Sequence, residues 1–145
     1  MSQIDASGKV LAREIEELRS LALEAAEKAY APYSGFRVGA AIELDGGDVV
    51  TGCNVENASY RLTTCAEQTA ISSAVTRYGP NIKIRTVVIV NLNKAASQPC
   101  GACRQTIHEF SEHTTQVYFP SADGSLISAT IGELLPYAFQ LNNEK

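Results

Sequence analysis

What the 145-residue chain lacks already excludes several classes of protein. It has no long apolar run. Stretches such as residues 38–42 and 86–90 fall far short of the about 20 residues that a bilayer-crossing helix needs. It has no excess of positive charge. Twelve Lys and Arg against 16 Asp and Glu leave a net charge of −4, which disfavours a nucleic acid partner, since phosphate binding wants a basic face. Asp5, Lys9, Arg13 and Glu14 stand where a secretion signal would need an apolar core, so a cytoplasmic protein without a membrane segment is expected. No internal repeat, low-complexity tract or long linker interrupts the chain. Cysteine is sparse: Cys53, Cys65, Cys100 and Cys103. An even count permits two disulfides, but a reducing cytosol favours metal binding or catalysis. Composition does not choose between them.

What is present suits a globular protein. Hydrophobic residues make up 45% and charged residues 19%, and the length fits one domain over residues 1–145 with its own core. Leu11, Ile15, Leu18, Ala22, Ala25 and Ala29 recur at three- and four-residue steps, which predicts an amphipathic helix over 7–30. Residues 31–35 contain Pro32 and Gly35 and stop it. Strands are predicted over 36–44 and 49–53, joined at Asp45-Gly46-Gly47-Asp48 as a hairpin. Residues 54–64 are polar and irregular. A helix is predicted over 65–78, closed by Gly79-Pro80. The β-branched run 84–92 suits a strand buried on both faces. A third helix over 100–112, short strands over 116–119 and 126–129, and a last helix over 131–135 follow. Strands and helices alternate after the hairpin, which points to an α/β layered fold.

Two segments carry chemistry: Cys65-Ala66-Glu67 and Pro99-Cys100-Gly101-Ala102-Cys103. Each opens a predicted helix, where unpaired N–H groups and a partial positive charge favour thiolate over thiol. Cys100 and Cys103, three apart, can face one point above the first turn. Cys65 adds a third sulfur from another helix. Three protein ligands and one open position describe a catalytic zinc site, whereas a structural site closes with a fourth ligand. Residues two apart lie about 200° apart around a helix axis. Cys65 and Glu67 can therefore converge only on something above the helix end. A carboxylate near the metal but not bound to it is suited to shuttle protons.

Each residue also has a plainer reading. A lone C-x-x-C is also a thioredoxin-like redox pair. Thr64-x-x-Glu67 is also a helix capping box. Cys53, in a predicted strand, is most simply a small buried hydrophobe. His108 and His113 read as a helix-face and a helix-end residue rather than ligands, since three better sulfurs exist. The conjunction outweighs these readings. A ligand-x-Glu segment followed by Pro-Cys-x-x-Cys is the signature of zinc nucleobase deaminases, including a three-cysteine variant.

With those motifs the chain resembles the small homotetrameric cytidine deaminases of pyrimidine nucleoside salvage. The likeness covers nearly the whole chain. It includes Tyr33-Ser34-Gly35-Phe36-Arg37-Val38-Gly39-Ala40-Ala41, then Gly52-Cys53-Asn54-Val55-Glu56-Asn57-Ala58-Ser59-Tyr60, both zinc motifs with Arg104-Gln105, and Gly132-Glu133-Leu134-Leu135-Pro136 with Ala138-Phe139. The resemblance implies a three-layer α/β/α fold with a mixed five-stranded sheet. It implies one Zn²⁺ per subunit on Cys65, Cys100 and Cys103, and Glu67 as the proton shuttle. Asn54 and Glu56 would hold the ribose hydroxyls, for which their donors and acceptors are suited. Phe36 would stack on the pyrimidine, and the Ala66 backbone N–H would meet the base carbonyl. Tyr60 and Phe139 would complete pockets across the contacts of a homotetramer. The implied reaction is hydrolysis of cytidine and 2′-deoxycytidine to uridine and 2′-deoxyuridine with release of ammonia.

Two positions depart from the family pattern. The family commonly has Arg directly after the catalytic Glu, and this chain has Gln68. Three thiolates and Zn²⁺ sum to −1, and the family's Arg offsets that by donating to sulfur. Gln68 brings a hydrogen bond but no charge, so it is expected to tune the metal site; Arg104 and the helix N-termini are candidate compensation. Gln98 stands where the family usually has Ser or Thr. The family uses the backbone carbonyl there, so the expectation is either a silent change or a larger side chain that reshapes the exit for the leaving amine. The rival readings are a deaminase of polynucleotides, a non-enzymatic zinc or redox module, and a deaminase of nucleoside antibiotics such as blasticidin S.

Overall fold

The computed structural model describes residues 6–8 and 12–141. A five-stranded sheet with the order β2-β1-β3-β4-β5 forms its middle layer. β1 (Val38–Leu44) and β2 (Val49–Cys53) make the expected hairpin, with Gly39 opposite Cys53 and Glu43 opposite Val49. Gly47 sits in its turn at φ +94°, a left-handed conformation that glycine adopts without steric cost. β3 (Ile84–Asn91) pairs antiparallel with β1 and parallel with β4 (Gln116–Pro120), and β5 (Leu126–Thr130) returns antiparallel on β4. The sheet is therefore mixed. The one parallel pair is bridged by a helical crossover, as parallel pairing requires.

The strands at the centre divide their side chains by the period of two. On one face Ala41, Val88 and Val90 pack against Leu18, Ala22 and Ala26 of α1 (Ile15–Ala26). On the other, Ile42, Val87, Ile89 and Val117 pack against Ala70, Ile71 and Ala74 of α2 (Ala66–Tyr78) and Ile107 of α3 (Gly101–Glu109). A short α4 (Ile131–Leu134) closes that face through buried Ile131. The result is the three-layer α/β/α arrangement.

Glycine lets both layers approach closely. A Cβ on Gly39 would meet Ala26 N at 2.7 Å, and one on Gly52 would meet Ala66 O at 2.6 Å. Helix α1 thus rests on bare β1 backbone and α2 on bare β2 backbone. Gly52 consequently fixes the height of the first turn of α2, where Cys65 and Glu67 reside.

Several boundaries differ from the sequence expectation. Helix α1 begins at Ile15, not at residue 7; Leu11 lies outside the described residues. Arg13 N–H donates to the buried Glu43 Oε2 at 2.9 Å, which draws residues 12–14 onto the end of β1 in extended form. The same helix ends at Ala26, not Tyr30, because Tyr30 bridges Val55 and exchanges backbone bonds with Asn54 and Glu56. Strand β1 starts at Val38, because Phe36 and Arg37 belong to the preceding loop. Helix α3 stops at Glu109, since the Phe110 carbonyl accepts from Ile84 N–H. The polar stretch 54–64 includes a 3₁₀ turn at Tyr60–Leu62. Cys53 is half-buried rather than fully buried.

Candidate metal centre and substrate pocket

β2 and β3 both run antiparallel to β1, so both end where β1 begins. The chain leaves β2 through residues 54–65 into α2, and leaves β3 through residues 92–100 into α3. Two helix N-termini therefore meet above one end of the sheet. Cys65 is the N-cap of α2 and Cys100 the N-cap of α3, each with extended backbone. Cys103 stands one turn along α3 and is fully buried.

The three sulfurs lie within 4.8 Å of one another, and no other His, Cys, Asp or Glu among the described residues joins them. Cys65 Sγ and Cys100 Sγ are 3.9 Å apart. A tetrahedral zinc with bonds of about 2.3 Å holds its sulfurs about 3.8 Å apart, so the spacing fits that ion. It does not fit a disulfide, and all four cysteines are free. The protonation chemistry fits as well. The Cys103 thiol donates to Cys65 and draws its pKa down to about 7, while Cys103 itself is pushed up, first by that bond and then by burial. Three crowded sulfurs cannot all ionise without a cation between them. Three ligands leave a fourth position open, the pattern of a catalytic rather than a structural site.

Glu67 lies in the first turn of α2 and is 4% exposed. Burial pushes its carboxyl above the usual range, against a smaller opposing pull from the Cys103 thiol. Glu67 and all three cysteines line a cavity of about 230 Å³. Phe36, Asn54, Glu56 and Ala66 line the same cavity. Asn54 is no solvated loop residue. It is 9% exposed, its Oδ1 accepts from Val38 N–H at 2.9 Å, and its Nδ2 donates to Phe36 O at 2.8 Å. The amide thus extends the β1 ladder past its end and fixes Phe36 over the cavity. Glu56 bends back onto the 33–34 turn, accepting from the N–H groups of Tyr33 and Ser34. Its carboxyl sits below the usual range, chiefly through the Ser34 hydroxyl.

The remaining expected residues have other surroundings. Gln68 Oε1 accepts from Cys65 N–H at 3.1 Å, so the capping residue of α2 is Gln68 and not Glu67 paired with Thr64. That leaves the Glu67 carboxylate free of a capping duty. Arg104 donates to the carbonyls of Pro99 and Leu134, both at 2.8 Å, and so braces the Pro99-Cys100 turn through backbone. Tyr60 is 75% exposed and Phe139 69% exposed, and neither lines the cavity within this chain. Gln98 does line it, with Ser97. Residues left without a role in the sequence reading also line it: Ser34, Thr63, Val38 and Ile89. Ser34 was visible as part of the Tyr33-Ser34-Gly35-Phe36 motif, but its partner is 22 residues away in sequence. His108 is buried, with its ring 5.9 Å from that of His113, and neither belongs to the sulfur cluster.

The profile of the family described as the cytidine and deoxycytidylate deaminase zinc-binding region matches residues 12–119. Fold and site together define a zinc-dependent deaminase. The cytidine deaminase of Halalkalibacterium halodurans is 43% identical over 118 residues, covering 81% of this chain and 88% of that protein. That of Mycobacterium tuberculosis is 40% identical over 126 residues, covering 87% and 90%. The crystal structure of the Burkholderia pseudomallei cytidine deaminase superposes with a TM-score of 0.80 at 43% identity, covering 88% of this chain and all of that one. The chain belongs to the cytidine deaminase family.

Proposed function

We propose that this chain is a single-domain cytidine deaminase, converting cytidine and 2′-deoxycytidine with water to uridine and 2′-deoxyuridine plus ammonia. The observation that carries the reading is one cavity lined by a three-sulfur cluster, buried Glu67, Phe36, Asn54 and Glu56 together. Cys65, Cys100 and Cys103 hold the zinc, which when bound supplies an acidified water for hydrolysis. Glu67 moves the protons. It takes one from the water and gives it to N3 of the base, and it later passes one to the 4-amino group, which leaves as ammonia. Burial suits the carboxyl to this role, because a pKa raised above the usual carboxylate range makes it a better proton acceptor. Phe36 stacks on the ring, the Ala66 N–H meets the base carbonyl, and Asn54 and Glu56 take the sugar hydroxyls. Gln68 acts on the metal site through the backbone of Cys65.

The active form in this reading is a cytoplasmic homotetramer serving pyrimidine salvage. The exposed Tyr60, Leu62, Tyr137 and Phe139 support it, since large apolar side chains left in water mark contact surfaces. Tyr60 and Phe139 would then complete the cavity of a neighbouring subunit. Loss of the cytosine absorbance on adding cytidine tests the activity. Turnover is expected with cytidine, and a zinc chelator should abolish it. Turnover of a cytosine-containing oligonucleotide and not of cytidine would reverse the substrate assignment. Light scattering tests the tetramer.

A further inference from the structure

We infer that Ser34 is a positioning residue whose hydroxyl holds the Glu56 carboxylate so that it presents a single acceptor site to the nucleoside sugar. The inference rests on the proposed role of Glu56. Its geometry is set by four hydrogen bonds. Glu56 Oε1 accepts from Tyr33 N–H at 2.9 Å and from Ser34 N–H at 3.1 Å. Glu56 Oε2 accepts a short hydrogen bond from the Ser34 hydroxyl. The Ser34 oxygen in turn accepts from Phe36 N–H at 3.0 Å. A hydroxyl has one hydrogen, and the bond to Glu56 Oε2 uses it, while a lone pair of the same oxygen accepts from Phe36 N–H.

The count of lone pairs gives the consequence. A carboxylate offers about four acceptor sites. Both sites on Oε1 and one on Oε2 are filled by the turn, which leaves one site on Oε2. That site belongs to a carboxylate lining the cavity, and Ser34 lines it too. Glu56 is therefore built to receive one sugar hydroxyl, not a pair. The turn that makes this possible is tied off by Gly35, at φ +71°, whose N–H donates to Ala31 O at 2.9 Å. Without the Ser34 hydroxyl, Oε2 keeps no hydrogen-bond partner among the described residues and the carboxylate can rotate about its remaining bonds. Charge-assisted hydrogen bonds are among the stronger positional restraints in proteins, so the loss is expected to be visible in binding.

The test compares cytidine with 2′,3′-dideoxycytidine, which keeps the base and lacks both ring hydroxyls. Ser34→Ala is expected to raise KM for cytidine about tenfold, the scale of one such hydrogen bond, with kcat within about twofold. Its KM for the dideoxynucleoside should equal that of the unaltered protein, and Ser34→Thr should restore the cytidine KM. An equal rise for both nucleosides would overturn the inference, because Ser34 would then act through Phe36 and the base. So would an unchanged cytidine KM in Ser34→Ala when Glu56→Gln raises it. If Glu56→Gln leaves the cytidine KM unchanged, the sugar role of Glu56 fails and the inference falls with it. Should Ser34→Ala not fold, Ser34→Cys keeps the size with a weaker donor. An intermediate cytidine KM is then expected, and an unaltered one is the contrary result.

Discussion

Glu43 and Glu67 are both buried carboxylates, at 0% and 4% exposure, but their surroundings oppose each other. Glu43, on β1, has Arg13 N–H at 2.9 Å and the Arg85 guanidinium at 3.9 Å. It joins the segment before α1 to the sheet. Among the described residues, Glu67 forms no ion pair with Lys, Arg or His. It faces a cavity and three thiols instead, and burial raises its pKa. Burying an ionised carboxylate is costly unless a partner offsets the loss of water. At Glu43 the fold supplies that partner. At Glu67 it does not, and the proton affinity that results is what a proton shuttle needs. Burial alone therefore does not distinguish the two carboxylates; the cavity beside Glu67, and the lack of an ion-paired cation there among the described residues, do.

The largest expected effect separates the two residues outright. Glu67→Gln should lower kcat by about a hundredfold to ten-thousandfold, the usual contribution of general acid–base catalysis. Zinc content should stay at one per chain, with no fall in thermal midpoint, since an uncharged amide is cheaper to bury there. Turnover near the unaltered rate would remove Glu67 from the chemistry.

Glu43→Gln should behave in the opposite way. Urea denaturation is expected to show a loss of about 2–3 kcal/mol, because Arg85 is left beside an uncharged group. Both kcat and KM should stay within about twofold. A large change in kcat with unaltered stability would mean that the α1 face of the sheet communicates with the site.

The smallest effect concerns a third carboxylate, fully at the surface. Asp123 accepts from the hydroxyls of Ser121 and Ser125 and from Ser125 N–H, and these donors hold its pKa down at about 2. A folded pKa below the unfolded value gives stability that is present above about pH 4 and lost as pH falls through about 2. Asp123→Asn should slightly lower the thermal midpoint at neutral pH, and the gap should narrow as pH falls from 4 toward 2. A gap that widens on acidification would show that the donors do not stabilise the ionised form.

Much of this was legible from residue order. β2 falls where the sequence put it, at Val49–Cys53, because the Asp45-Gly46-Gly47-Asp48 turn cluster precedes a β-branched run and the polar stretch from Asn54 follows it. The three-cysteine cluster, with Glu67 near it, could be proposed from the sequence because helix starts impose fixed spacing, and C-x-x-C and C-x-E survive as local patterns. The errors arose where a distant group competed for the backbone. The start of α1 was set by Glu43, 30 residues from Arg13, and its end by the pairing of Tyr30 with residues 54–56. The plainer reading of Glu67 as a cap falls, because the helix begins after Cys65 and Gln68 takes the capping role. Ser34 had no visible role, since its meaning depends on Glu56.

The sequence by itself determined the alternation of elements, the chemical nature of the site and the family, because each rests on local spacing and residue type. Only the tertiary structure decided what those residues do together. Antiparallel pairing of both β2 and β3 with β1 brings two helix starts to one end of the sheet and closes three sulfurs to within 4.8 Å. The same packing separates a paired carboxylate from an unpaired one of the same residue type. Solvation and charge depend on what lies nearby in space, and for Glu43 and Glu67 those neighbours come from distant parts of the chain.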